Sequence, residues 1–340
     1  MNRPSLAVPE RRIFMASLAA GVASLGVDSL LLRPAGAQTP ARIARVGFLT
    51  PSTVSPRGVM PEMRQRLREM GYVEGRDIKF EVRAANDDFE RLSDLATDLV
   101  ESGVDLIIAI SSPAIRAAEL ATSTLPIVMV SGTDPVESLF VASLSHPDGN
   151  VTGVTTHIPE LAARRLEVLR ECIPNLHRVA VLANLRNPGS AADVKATEAA
   201  ARTMSLDVQV ADARLPEQYP AAFDGFVKSR ARALMVTIDP VLSSNRDRIV
   251  ELAARHRLPA MYEWEQIVDS GGFISYGPSP AEINGLVAVF VDKILKGANP
   301  ADLPVQRPTR LQLSLNLNTA KSLGVKVPQT VLDRADRVLK

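Results

Sequence analysis

The chain is poor in the residues that usually carry covalent chemistry. It has 340 residues, with one cysteine and four histidines. With Cys172 alone, no internal disulfide can form, and the fold must be stabilised by its core. Cys172 lies between Leu169 and Ile173 on a predicted helix and reads as buried filler rather than a reactive thiol. His146, His157, His177 and His256 fall near predicted element ends, and no two share the spacing of a metal site. No metal is expected. The phosphate-binding, dinucleotide-binding, zinc-protease, paired-cysteine and nucleophile-elbow motifs are all missing. The expectation is a protein that is not an enzyme and has no cofactor. Aromatics make up only 4%, so the cores must rest on Ala, Val, Leu and Ile. A formal net charge of +1 offers no concentrated basic surface, which argues against nucleic acid as a partner.

The N-terminal stretch is present for another purpose than folding. Arg11-Arg12-Ile13-Phe14-Met15 precedes an apolar Ala/Gly/Ser-rich run to Val27, and Ala35-Gly36-Ala37 follows. This is the order of a secretory signal, a charged region, an apolar region and a small-residue cleavage site. Residues 1–37 are read as a signal peptide, with the arginine pair resembling a twin-arginine leader and the mature chain starting at Gln38. The leader holds four arginines (Arg3, Arg11, Arg12, Arg33) against two acids (Glu10, Asp28), so the remainder is slightly acidic. No cysteine follows the cleavage site to take a lipid. A free periplasmic protein, not lipid-anchored, is expected.

From residue 43 onward strands and helices alternate. Val46–Leu49, Ile78–Val82, Val104–Ile110 and Pro126–Val130 read as strands, separated by helices over about 57–71, 88–102 and from Pro113. Val104–Ile110 is continuously apolar, as a strand covered on both faces of a parallel sheet requires. The pattern then repeats. Arg45–Leu49 has a counterpart in Arg178–Leu182, and Leu125-Pro126 in Leu258-Pro259, both 133 residues later. Two α/β lobes with parallel sheets are expected, each Rossmann-like, joined by several crossings. The first lobe takes residues 41–153 plus about 277–300, and the second 154–276 plus about 301–340. Pro300, Pro304 and Pro308 mark an extended, helix-free segment between them. Arg164, Arg165 and Arg170 read as a solvated face of the helix after the first crossing.

Ligands of open α/β sheets bind beyond the carboxyl ends of the strands. At those ends stand Thr50 and Ser52, Ser111 and Ser112, Ser131, Thr133 and Asp134, Asn184 and Asn187, Asp239, and Tyr262 with Glu263. Helix N-termini there suit a carboxylate, serine and threonine hydroxyls add donors, and Asp134, Asp239 or Glu263 suits an ammonium. Each of these residues also fits a plain helix cap, above all in Asp134-Pro135 and Asp239-Pro240. Tyr262, Trp264 and Tyr276 suit packing and ligand stacking equally.

Several longer stretches carry a family resemblance. They include Leu67–Arg76, Ala121–Val128, Asp134-Pro135-Val136, Gly149–Gly153, Ser275–Ser279, Val291–Ala298 and Leu315–Gly324. Over about residues 43–338 the chain resembles ABC-transporter substrate-binding proteins of the tryptophan-binding-like type, within the type I periplasmic binding fold. The resemblance implies closure of two lobes around an amino acid or similar small carboxylate, and delivery to an inner-membrane ABC permease served by a cytoplasmic ATPase. A monomer is expected. The resemblance places the ligand carboxylate on Ser111, Ser112, Ser131 and Thr133, puts Asp134 in the Asp-Pro-Val motif, and carries second-lobe contacts to Asn184, Asp239 and Tyr262. A ligand-presenting sensory protein for a membrane receptor would have the same sequence features and is the alternative.

Overall fold

The structure, a computed structural model, describes residues 42–53 and 60–340. The leader and its cleavage site lie outside the described residues. Five parallel strands form the first sheet: β1 (Ala44–Thr50), β2 (Ile78–Ala84), β3 (Leu106–Ile110), β4 (Ile127–Ser131) and β5 (Val151–Thr155), in the order β2-β1-β3-β4-β5. Helices α1 (Pro61–Glu69), α2 (Leu92–Glu101) and α3 (Ser112–Ala121) connect them. Leu106, Ile107, Ile108 and Ala109 are fully buried, as the continuous apolar run requires of a strand covered on both faces.

The second lobe repeats the plan with additions. It runs α4 (Leu161–Cys172), β6 (Arg178–Ala183), α5 (Pro188–Thr203), β7 (Asp207–Asp212), α6 (Tyr219–Lys228), β8 (Ala233–Val236), α7 (Pro240–Ser244), α8 (Arg246–Arg255), β9 (Ala260–Tyr262), α9 (Glu265–Asp269) and β10 (Ile274–Pro278). After α10 (Pro280–Leu295) come β11 (Leu311–Asn316), α11 (Leu317–Leu323), α12 (Gln329–Leu332) and β12 (Arg337–Leu339). The sheet order is β12-β11-β10-β9-β8-β6-β7, and only the β10–β11 pair is antiparallel.

Helix α10 leaves the second sheet and packs on the first. Its Ile283, Val287 and Val291 share a core with Val46, Phe48, Leu106, Ile108 and Val128. Each such side chain contributes about 1.5–3 kcal/mol when fully buried. The chain passes between lobes three times: from β5 to α4, from β10 to α10, and through residues 303–310 into β11. The last passage runs beside β5, where the Gln306 amide donates to Gly153 O and the Thr155 amide donates to Gln306 O. Gly153 is fixed by space as well as by its φ of 138°. A Cβ there would stand 2.3 Å from Met129 O.

Three local expectations are corrected. Asp134-Pro135 starts no helix; residues 135–139 form turns in which Asp134 Oδ1 accepts from the amides of Val136 (2.9 Å) and Glu137 (3.3 Å). The proline-rich segment is not free of helix, because Asn299 caps one 3-10 turn over Pro300–Asp302. Arg165 is not part of a solvated face. It is buried, for α4 turns that side toward α5 and β10.

Candidate functional site: a two-compartment cleft

The C-terminal ends of β1, β3 and β4 face those of β8 and β9 across a cleft. An inner compartment of about 160 Å³ lies between Ile110, Ser111 and Val130 of the first lobe and Ile238, Asp239 and Trp264 of the second. It shares Ile110, Val130, Pro240, Ser243 and Trp264 with an outer compartment of about 590 Å³. Thr50, Ser52, Met60, Arg246, Ile283 and Asn284 also line the outer one. Trp264 packs against the cores of both lobes, so one wide ring spans the seam.

Ser111 has backbone angles φ 74° and ψ 156°, a region that non-glycine residues rarely occupy. Such geometry costs about 1–3 kcal/mol and clusters at ligand sites. Ser111 lines the compartment at this bend of the chain. Its Oγ is buried and makes no hydrogen bond within the protein. A buried hydroxyl left this way costs about 1–3 kcal/mol unless something binds it. Helix α3 begins at the next residue and directs its N-terminal partial charge to the same place.

The neighbouring hydroxyls behave differently. Thr133 Oγ1 lies 3.1 Å from Ser112 Oγ and 3.0 Å from Ser131 Oγ, and it accepts from Ser138 Oγ at 2.7 Å. Thr155 Oγ1 donates to Thr133 O at 3.0 Å. Ser112, Ser131 and Thr133 therefore satisfy one another and hold the loop after β4. Asp134 caps its turn and pairs with Arg307 at 3.5 Å, and neither compartment includes it. Ser52 is half-buried at the outer compartment, its Oγ 3.1 Å from Thr50 Oγ1.

On the facing lobe, Asp239 is 1% exposed. Its Oδ1 accepts from the Leu242 amide at 2.9 Å and caps α7; its Oδ2 accepts from Asn184 Nδ2 (3.2 Å) and Asn187 Nδ2 (2.9 Å). Burial raises its pKa to about 6, against the lowering effect of those donors. Asn184 thus orients Asp239, and its own amide donates to Ser190 Oγ at 3.1 Å. Tyr262 is turned into the second lobe's core with Phe223, Leu234 and Ile267, and its burial pushes the phenol pKa well up. It lines neither compartment.

Residue types alone did not single out Met60, Pro240, Ser243, Arg246, Ile283 and Asn284 as cleft lining. Asn284 did leave a trace, being a polar residue among the buried apolar positions of α10; its Nδ2 donates to Glu62 Oε2 at 3.1 Å. Across the cleft the lobes touch directly. Arg186 forms an ion pair with Glu90 and lies over Phe89, Asn245 Nδ2 donates to Asp87 Oδ2 at 3.2 Å, and Gly132 meets Gly189 backbone to backbone. Among the described residues no cluster of metal-ligating side chains occurs, and no helix is long and apolar enough to cross a membrane.

The chain is similar to proteins that hold amino acids. It is 26% identical over 260 residues to the tyrosine-binding protein of Clostridioides difficile (strain R20291), covering 76% of this chain and 74% of that one. A solved structure from Streptococcus pneumonia, an ABC domain in complex with L-Trp, superposes with a TM-score of 0.79 at 26% identity. It covers 87% of this chain and 100% of its own. A conserved domain protein from Vibrio cholerae gives 0.80 at 25% identity over the same shares. The fold is that of the type I periplasmic binding proteins. Residues 59–339 match the family described as ABC transporter substrate binding protein, and the chain belongs to that family.

Proposed function

We propose that the protein is exported to the periplasm as a free monomer, where it captures an amino acid with a bulky, largely apolar side chain and delivers it to an ABC permease. The observation that carries this reading is the pairing of Ser111 and Asp239 on opposite walls of one compartment. The unpartnered Ser111 hydroxyl and the N-terminus of α3 suit a carboxylate. Asp239, held in place by Asn184 and Asn187, suits an ammonium. The side chain extends past Trp264 into the outer compartment, where Phe48, Met60 and Ile283 supply apolar walls. That division fits the tyrosine and tryptophan named for the relatives.

Of the expected contacts, Ser111, Asp239 and Ser52 line the cleft and serve here as direct ligand contacts. Ser112, Ser131, Thr133 and Asn184 serve as the frame behind them. The expected lobe boundaries, 41–153 plus about 277–300 and 154–276 plus about 301–340, shift by a few residues when drawn at the crossings, since β5 runs to Thr155, Thr156 still bonds Ser131, and β10 runs to Pro278. A ligand that touches both lobes favours the closed arrangement by its extra contacts there. Calorimetry of the mature chain against L-tryptophan, L-tyrosine, L-phenylalanine and L-leucine tests the reading. Saturable binding of at least one, with a compaction seen by small-angle scattering, is expected; no heat with any of the four overturns it.

A further inference from the structure

Arg165 sits on α4, just after the first crossing, and is buried. Each guanidinium nitrogen meets a different element. Nε donates to Tyr276 O on β10 at 2.7 Å, just before the chain crosses into α10. Nη1 donates to Asp193 Oδ2 on α5 at 3.5 Å, and the same oxygen accepts from the Ile238 amide at 3.3 Å. Ile238 precedes Asp239 and lines the inner compartment. Nη2 stands 3.9 Å from Glu263 Oε1, and both Nη2 and Glu263 Oε2 are buried without a hydrogen-bond partner.

These groups surround a cavity of about 30 Å³, room enough for a water molecule. Gly132 and Thr156 close it from the first lobe's side, while Arg165, Asp193, Ile238 and Glu263 close it from the second. One guanidinium and two carboxylates share a space almost without solvent, with side chains 3%, 12% and 4% exposed. Fully ionised, the group carries one buried negative charge in excess. A charge of that kind costs several kcal/mol and is relieved by binding a proton.

We propose that Arg165 is a positioning residue for ligand capture and that lobe closure seats one proton on Glu263. The proposal rests on the reading that a ligand draws the lobes together. When they part, Gly132 and Thr156 leave the cavity and water reaches the carboxyl; when they close, the ionised form loses that water. Burial pushes Glu263 up to about 8, Arg165 opposes the rise and Asp193 adds to it. Arg165 faces it from α4, Asp193 from α5, and His157, from the crossing before α4, lines the same cavity.

The sign follows from linkage. The closed form holds its proton to higher pH than the open form, so closure takes up as much as about one proton between the ordinary carboxylate range and about pH 8. Affinity then falls as pH rises, by at most about tenfold per pH unit.

Calorimetry with L-tyrosine and L-tryptophan at pH 7, in buffers of different ionisation heat, reads the proton directly. Uptake in the native protein and none in Glu263→Gln is expected. No uptake, or equal uptake in both, overturns the proposal. Arg165→Gln should weaken binding about tenfold, the cost of one charged hydrogen bond, and move the alkaline midpoint upward. An unmoved midpoint would make Arg165 merely structural. A second arm needs no ligand. Glu90→Cys and Arg186→Cys, joined by a short bismaleimide, hold the lobes together, and carbon NMR follows the Glu263 carboxyl. Titration at higher pH in the joined protein than in the unjoined one supports the proposal, and identical titration refutes it. If neither amino acid binds, this arm still decides the proton, and the ligand reading fails separately.

Discussion

Ser111 and Asp239 face one compartment from opposite lobes, and the two are built in opposite ways. Asp239 is held by three donors, while the Ser111 hydroxyl has no partner and sits on a strained backbone. Ser111→Gly should therefore raise stability by about 1–3 kcal/mol through relief of strain. The same change should weaken amino-acid binding about tenfold through loss of the hydroxyl. Thermal melts and calorimetry on one sample measure both, and a variant that loses stability would contradict the strain argument.

Asp239→Asn can keep the cap on α7 with its oxygen, but its amide nitrogen then meets the Asn184 and Asn187 Nδ2 donors. Stability should fall by about 1–3 kcal/mol with the fold retained, which a thermal melt checks. Affinity for an amino acid should drop at least tenfold, roughly the cost of an unpaired ammonium, while its deaminated analogue should bind about equally to both proteins. Competition between L-phenylalanine and 3-phenylpropionate resolves the two.

The pH dependence of binding should be bell-shaped. Asp239 must ionise to hold an ammonium, so affinity climbs as pH rises through about 6. Glu263 acts with the opposite sign and lowers affinity toward about 8. Glu263→Gln should leave only the acidic limb, and Asp239→Asn only the alkaline one. Titrations from pH 5 to 9 separate them.

Gly189 meets Gly132 of the other lobe, and a Cβ added to it would stand 3.5 Å from Gly132 Cα. Gly189→Leu, at the start of helix α5, should keep the helix and hold the lobes apart. Scattering should then show no compaction with ligand. Removing the exposed pair instead, by Arg186→Ala, should cost no more than about 1 kcal/mol and leave the compaction in place.

Gly153→Ala should destabilise by more than about 2 kcal/mol, because the new Cβ meets Met129 O at 2.3 Å on a backbone that disfavours it. A denaturant titration with unchanged slope is the expected record.

Much of this architecture can be read from residue order. The run Val104–Ile110 yields strand β3 because a strand covered on both faces needs no polar alternation. The 133-residue echo marks two lobes because repeated strands pack by repeated rules. The site was legible only as a neighbourhood. Ser111 and Ser112 are adjacent and alike in type, yet one faces the cleft and the other bonds Thr133. The two also differ in backbone, Ser111 standing at a positive φ of 74°, and no residue type encodes that. Arg165 misled for a related reason. It stands beside the exposed Arg164, and only Asp193 and Glu263, brought close by folding, give it a place inside.

Helix α10 completes the first lobe although it is made after five strands of the second. A growing chain therefore cannot finish one lobe before starting the other. A fragment ending before Pro280 would present the bare faces of Val46, Ile108 and Val128 to solvent. The lobes are separate in space but not in time, and their folding should be a single cooperative event rather than two in succession. Cutting the gene between the lobes should yield halves that recover only when mixed, with α10 supplied in trans.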